Sequence, residues 1–376
     1  MIIVHVYHTF YPVLGGIERA IHNISKELVK LGHEVHVIVS TYGASNRPKY
    51  EKIDEIHIHR LKAWTLYFPD LTIPCEFPRE VLRKADIVHG WSQNSLFTYI
   101  ICRKAKKLGK PIVTYFIGVD YLRRHYNPII RIFGYLYQKW ITKRIVKLTD
   151  LALVTNEYEK KLLKEKYGLE AIILPHGIDD IYLTTPNIAN YFKRKYGVKG
   201  KIVTYIGRIH PTKGLDLLIK AFAIVVKHVP DTILIIAGKG DERYLKKCLK
   251  LADKLGIKNK IKYVGYISEK DKIALIDASN VVVLPTRHAG ESHPLLIDEV
   301  LARRKMLIIT SVSKALKERV KKLSNVKIVQ PNTVELADAI IDTLRKSVVP
   351  SGDYVNIHTW SEIALTISEL YKTLAR

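Results

Sequence analysis

The chain has 376 residues, more than one hydrophobic core ordinarily serves, so two domains are expected. Hydrophobic residues make up 47% of it, which excludes a disordered chain, and no window reaches the roughly 18 apolar residues of a membrane span. The 61 Lys and Arg against 36 Asp and Glu leave a formal net charge of +25, so the expected partners are anions: nucleic acid, anionic lipid or phosphorylated substrates.

The opening run MIIVHVYH reads as a strand over 2–8 with no basic segment ahead of it, so no signal peptide is read. Ile17, Ile21, Ile24, Leu28 and Leu31 then recur at helical spacing until Gly32 stops them. Further strands are predicted over 34–40, 86–90, 111–116 and 151–156, with helical stretches over 95–108 and 128–147. A second series begins at KIVTYIG (201–207) and continues over 232–238, 261–267, 280–286, 306–310 and 326–331, each strand followed by a helical stretch. This alternation with apolar strands predicts an α/β fold: two Rossmann-like domains with parallel sheets covered on both faces, joined near 178–200. Ligands of such sheets bind outside the carboxyl ends of the strands. Cys75, Cys102 and Cys248 are too few and too scattered for a disulfide framework or a metal site, and suit a reducing compartment.

Three stretches carry chemistry. GRIHPTKGLDLLIKAF (207–222) follows a strand and opens an amphipathic helix, which puts Arg208 and Lys213 on the connecting loop. Two cations there, one with a forked guanidinium, suit a diphosphate; solvated loop charges are the plain alternative. FYPVLGGIERA (10–20) sets Gly15 and Gly16 between the first strand and its helix, where paired glycines allow close backbone approach to an anion. A simple tight turn would use the same pair. GESHPLLIDEV (290–300) holds Glu291 ahead of an apolar run and Glu299 inside it. Pro294 is tolerated in a first helical turn, so a helix is expected to start near Ser292 or His293. Leu295 and Leu296 then offer free N–H groups between the two carboxylates. An ordinary helix with an acidic start is the alternative.

In this order on one chain, the features resemble the GT-B retaining glycosyltransferases of family 4, the glycosyl transferases group 1, nearly end to end. ILPHGIDD (173–180) is similar to the family's interdomain PNGVD segment, and GRIHPTKGLDLLIKAF to its GRLxxxKGxDxLIxAF. VVVLPTRHAGESHPLLIDEVLA (281–302) is similar to PSxxEGFGxxxxEAMA, and TWSEIALTISELYKTL (359–374) to the closing helix that crosses back to the first domain. The resemblance implies an acceptor-side domain over 1–180, a nucleotide-sugar-binding domain over 181–350 facing it across a cleft, and a returning helix within 351–376. It implies that Arg208 and Lys213 bind the donor diphosphate and that Glu299 bonds the ribose. Glu291 would contact the transferred sugar, and Gly16 would let the first-domain loop approach the donor. Two departures stand out. His293-Pro294 replaces the usual Phe-Gly, leaving Leu295 and Leu296 to supply the anion's donors. Ile117 in TYFIGVD (114–120) replaces the family histidine near the reacting carbon, with Asp120 the nearest substitute.

DYLRRHYNPIIRIFGYLYQKWITKRIVK (120–147) interleaves basic and apolar residues. After Pro128, Ile129, Ile132, Phe133, Leu136, Trp140, Ile141 and Ile145 recur at spacings of three and four, with Arg131, Lys139, Lys143 and Arg144 mostly elsewhere on the wheel. The stripe either packs on the sheet as an ordinary helix or lies on anionic membrane with Trp140 at the interface. His5, His8, His57, His59 and His89 show no ligand spacing, and neither a metal nor a cofactor is expected. The reading is a hexosyltransferase at the cytoplasmic membrane face. It would use a nucleotide diphosphate sugar (a UDP-sugar first, GDP-mannose second) and a lipid-linked or glycan acceptor. The alternatives are a soluble disaccharide or sugar-phosphate synthase, and a non-catalytic sugar-nucleotide or nucleic-acid binder. No nucleic-acid-reading motif accompanies the charge.

Overall fold

A computed structural model describes residues 1–13, 15–124, 128–310, 313–321, 323–346 and 357–375. The chain forms two compact units. The first comprises Met1–Gly177, Gly290–His293 and His358–Arg376, the second Ile178–Ala289 and Pro294–Ile357. The expected boundary at 350 and 351 lies outside the described residues.

In the first unit the strands are β1 (Ile2–Val6), β2 (Glu34–Ser40), β3 (Tyr50–Ile53), β4 (Ile56–Leu61), β5 (Ala63–Thr65), β6 (Thr72–Pro74), β7 (Ile87–Trp91), β8 (Ile112–Phe116), β9 (Leu151–Val154) and β10 (Ala171–Ile173). Eight of them form one sheet in the order β10-β9-β8-β7-β1-β2-β4-β3, while β5 and β6 make a separate hairpin. Every pairing in the sheet is parallel except β3 with β4. Ile3, Val4, Val88, Val113 and Leu153 are fully buried, because crossover helices cover both faces of a parallel sheet. The order reverses between β1 and β7, which opens a crevice at their carboxyl ends.

The helix Gly16–Lys30 turns Ala20, Ile21, Ile24 and Leu28 inward, as its spacing predicts, while Leu31 lies past its end and is exposed. The helix Trp360–Leu374 starts with a Thr359–Glu362 capping box and is part of the first unit. Its Ser368 hydroxyl lies 2.8 Å from His33 Nε2, and Tyr371 Oη 2.6 Å from His89 Nδ1. Gly177 is required where this helix begins: a Cβ there would sit 2.6 Å from the Thr359 carbonyl carbon.

In the second unit β11 (Lys201–Ile206), β12 (Thr232–Ala237), β13 (Ile261–Gly265), β14 (Val281–Leu284), β15 (Leu307–Thr310) and β16 (Val326–Val329) form one parallel sheet. Its order is β13-β12-β11-β14-β15-β16, so the reversal falls between β11 and β14. Leu217, Leu218, Ala221 and Phe222 of the helix Leu215–His228 pack on one face with Val203, Leu234 and Val283.

The strands β3 to β6 and β10 escape the sequence reading. Most are three or four residues long, and β4, next to the edge strand β3, alternates isoleucine with histidine. The histidines His5, His8 and His89 lie in the core. His5 accepts from Trp91 Nε1 at 3.1 Å, and burial pushes its pKa down to about 3, so it stays neutral. Among the described residues no cluster of His, Cys, Asp and Glu could hold a metal ion, and no helix is long and apolar enough to cross a membrane.

Candidate active site

In the second unit, β11 and β14 are parallel neighbours, so the loops that follow them leave the same sheet edge. The loop after β11 carries Arg208, exposed, and Lys213, half-buried. A short 3-10 turn, Pro211–Lys213, shapes it, with His210 Nδ1 accepting from the Thr212 N–H at 3.3 Å. Gly214 has φ +69, and a Cβ there would lie 2.0 Å from the Pro285 carbonyl oxygen. Only glycine allows the two loops to lie this close. The contact is tightened by the Arg287 N–H donating to the Thr212 carbonyl at 2.7 Å. Arg287 in turn forks onto Asp216 at 2.9 and 3.1 Å. The loop's positive field registers on His210, whose pKa is lowered by burial and then by the charges of Arg208 and Lys213.

The helix expected to start near Ser292 or His293 starts instead at Leu295 and runs to Ala302, with Pro294 as an extended cap at ψ 118. Ahead of it, the Ser292 side chain is bonded to Glu159, Thr155 and Asn156 within the first unit. His293 precedes Pro294, and helical backbone is disfavoured at the residue before a proline, so the helix begins only beyond it. Leu295 and Leu296 are therefore the first two helical residues, and the next N–H, that of Ile297, bonds the Pro294 carbonyl at 3.0 Å. Glu299, 3% exposed, sits in the second turn with Oε1 2.6 Å from Lys272 Nζ. Lys272 lies on the helix Glu269–Ala278, 3.9 Å from Glu269, which also accepts from Tyr182 at 2.5 Å. Glu291 lies in the loop ahead of the helix, half-buried, and is counted with the first unit.

At the reversal of the first sheet, Gly15 caps the helix in extended backbone and Gly16 is its first residue. A Cβ on Gly15 would come 2.5 Å from a carboxylate oxygen of Glu18, whereas one on Gly16 would meet nothing within 4 Å beyond its chain neighbours and its own helix backbone. Glu18 accepts from Thr9 at 2.5 Å. Beside it, His8 Nδ1 lies 3.0 Å from Ser95 Oγ and 4.0 Å from Asp70. Burial pushes His8 down to about 3, while desolvation and the charge of Glu18 raise Asp70 to about 6. Sequence reasoning missed this cluster, because residues 8, 18, 70 and 95 share no motif and meet only through the strand order.

The turn that carries Ile117 is pinned by amides and a carboxylate. Gln93 accepts from the Ile117 N–H at 2.9 Å, Gln138 donates to the Gly118 carbonyl at 3.1 Å, and Glu159 accepts from the Gly118 N–H at 2.6 Å. Asp120, offered above as the histidine's substitute, sits at φ +63 with its carboxylate engaged by Lys166 and Tyr167. Its carboxylate is thus paired within the first unit.

The basic stretch resolves into a π-helical turn, Ile130–Gly134, followed by an α-helix, Tyr135–Val146. The apolar stripe divides between two environments. Ile141 and Ile145 are buried against the core, whereas Ile129, Ile132 (59% exposed), Phe133 (68%), Leu136 and Trp140 (44%) face outward. Leu136 and Trp140 share the helix Tyr135–Val146 with Ile141 and Ile145, and 3.6 residues per turn set Trp140 about 100° around it from Ile141, so the two pairs look to different sides. Arg131, Lys139, Lys143 and Arg144 are exposed, and Arg144 lies 4.7 Å over the Trp140 ring. Packing on the sheet thus accounts only for the carboxyl-terminal half of the stripe.

Comparison with known proteins places this arrangement. The phosphatidyl-myo-inositol mannosyltransferase of Mycobacterium leprae is 26% identical over 258 residues, 65% of this chain and 64% of the relative, so the match spans under two thirds of that protein. Two solved structures share the fold over the full length. Sucrose-phosphate synthase from Thermosynechococcus elongatus has a TM-score of 0.77 at 18% identity, covering 99% of this chain and 98% of the other. HepE from Anabaena, solved with UDP-glucose, has a TM-score of 0.75 at 17% identity, covering 99% and 100%. Residues 14–182 match the family model described as Glycosyltransferase Family 4, and residues 189–351 match Glycosyl transferases group 1. With both halves matched in register with the two sheets, the chain belongs to the family 4 glycosyltransferases.

Proposed function

We propose that the protein is a retaining hexosyltransferase that moves a sugar from a nucleotide diphosphate donor to a lipid-linked acceptor at an anionic membrane surface. The observation that carries the donor half is the sheet reversal at β11 and β14. There the Arg208–Lys213 loop and the N-terminus of the helix Leu295–Ala302 leave neighbouring strands. Both supply positive charge or N–H donors where a leaving diphosphate gathers negative charge. Glu299 serves the ribose and Glu291 the sugar, roles that rest on the family resemblance. Retention then follows from attack on the leaving-group face, with the diphosphate itself taking the acceptor's proton. No metal is assigned to this site. A UDP-sugar is the first choice of donor, since HepE was solved with UDP-glucose, and GDP-mannose the second.

The acceptor half is supported by the outward apolar stripe of residues 129–140 among basic side chains, which suits a bilayer better than water. The mycobacterial relative is named for a lipid acceptor, phosphatidyl-myo-inositol. The test is a thermal-shift screen with UDP-, GDP- and ADP-sugars, since ligand binding raises stability by mass action. It is followed by product analysis with anionic lipid extracts and with free sugar phosphates. Transfer to lipid is expected. Transfer only to sugar phosphate points to a soluble synthase, and no shift with any nucleotide rejects the donor reading.

A further inference from the structure

The buried carboxylate of Glu159 accepts five hydrogen bonds, on two groups of partners. Oε1 takes the backbone N–H groups of Gly118 at 2.6 Å and Val119 at 3.4 Å. Oε2 takes the Ser292 hydroxyl at 2.8 Å, the Thr155 hydroxyl at 3.1 Å and the Asn156 amide at 3.3 Å. Asn156 caps the helix Glu157–Tyr167 by accepting from the Glu159 N–H at 3.0 Å, so the carboxylate stands on a fixed first turn. Ser292 is 4% exposed, lies 2.6 Å from Thr155 Oγ1 and accepts from Asn156 at 3.0 Å.

We propose that Glu159 is a positioning residue for sugar transfer: its two oxygens fasten the 118–119 turn to Ser292 and thereby set the neighbouring Glu291. The inference rests on the reading that Glu291 serves the transferred sugar. The chemistry of the partners explains why a carboxylate is needed. An ionised carboxylate only accepts, and both of its oxygens face donors here. Glutamine keeps one accepting oxygen for the Gly118 N–H, but its NH2 then confronts the donating amide of Asn156. The turn it holds is a demanding one, with left-handed backbone at Gly118 (φ +66) and Asp120 (φ +63). Glu159 touches neither the Arg208–Lys213 loop nor Glu299 in the hydrogen bonds above, so its loss acts on turnover and spares donor binding.

The test compares Glu159→Gln and Ser292→Ala with the full-length wild type. Amide exchange is expected to speed about tenfold or more in peptides covering 117–120 and 290–293, and to stay unchanged over 207–214. Release of UDP from UDP-glucose or GDP from GDP-mannose is expected to slow about 10- to 100-fold in kcat. The Kd for UDP or GDP by calorimetry should stay within about twofold. The double variant should be no slower than the worse single one, because both cut one link. Unchanged exchange in both variants overturns the proposal, as does a parallel loss of kcat and nucleotide affinity. Wild-type turnover that Glu291→Ala leaves intact overturns the role of Glu291 instead. In that event exchange still decides whether Glu159 holds the two segments together.

Discussion

Lys272 and Glu299 form an ion pair at 2.6 Å in the second unit, with the carboxylate 3% exposed and the ammonium 12%. A pair this dry is held by geometry: removing one partner leaves a buried charge, which costs about 3–5 kcal/mol. Lys272→Met should therefore lower the unfolding free energy by about that much in urea titrations. Adding Glu299→Gln to it should recover part of the loss. A double variant less stable than Lys272→Met alone would show that the pair is not the source of the effect.

Arg208→Ala and Lys213→Ala should each weaken UDP or GDP binding by about 1.5–3 kcal/mol, the contribution of a charge-assisted contact. Arg208 is exposed and Lys213 half-buried, so the melting temperature of the free protein should barely move in either variant. Calorimetry that finds wild-type affinity in both would take the diphosphate away from this loop.

The two glutamates of GESHPLLIDEV should separate kinetically. Glu299→Ala is expected to raise the donor KM, since a ribose contact is present in ground and transition states alike. Glu291→Ala is expected mainly to lower kcat, because it stands where charge changes during transfer. An intact kcat in Glu291→Ala would reverse the assignment.

Residues 129–144 should bind vesicles containing anionic lipid and release them at high salt. Each basic residue near such a surface adds about 1 kcal/mol, and the attraction decays over a Debye length of roughly 8–10 Å. Changing Arg131, Lys139, Lys143 and Arg144 together to Gln should abolish cosedimentation, and Phe133→Ser should weaken it even at low salt. Equal sedimentation with neutral vesicles would remove the electrostatic component.

Acid should destabilise the first unit through its buried neutral histidines. His5 and His8 fall from an ordinary 6.5 to about 3, so the unfolded chain takes up protons that the folded one refuses. The stability they contribute is complete above about pH 6.5 and is lost as the pH drops towards 3, by about 1.4 kcal/mol per unit for each group. Asp70, raised to about 6, works the other way between pH 6 and 4, and offsets part of one histidine. Urea midpoints at pH 7, 6, 5 and 4 should fall steadily, and a flat profile would mean that these rings titrate normally.

Local signals settled much of this protein. Strand runs such as KIVTYIG and TILIIAG are apolar throughout, and a run of that kind has few places to go except a parallel sheet with both faces covered. The stripe Ile21, Ile24 and Leu28 named its own buried face, because period and packing agree in a single amphipathic helix.

Tertiary structure decided what depends on long-range partners. Glu159 reads in the sequence as one acid of an ordinary charged helix, and becomes a hub only because strand order brings Gly118 and Ser292 to it. The stripe from Ile129 to Ile145 looked like one face on a helical wheel, yet the fold buries Ile141 and Ile145 and leaves Ile129, Ile132, Phe133, Leu136 and Trp140 exposed. Spacings of three and four name the residues that could share a side, but not which of them the rest of the fold covers. Composition and period determine which residues must be buried somewhere; only the assembled fold decides which donors and acceptors meet, because those pairs are far apart in the chain.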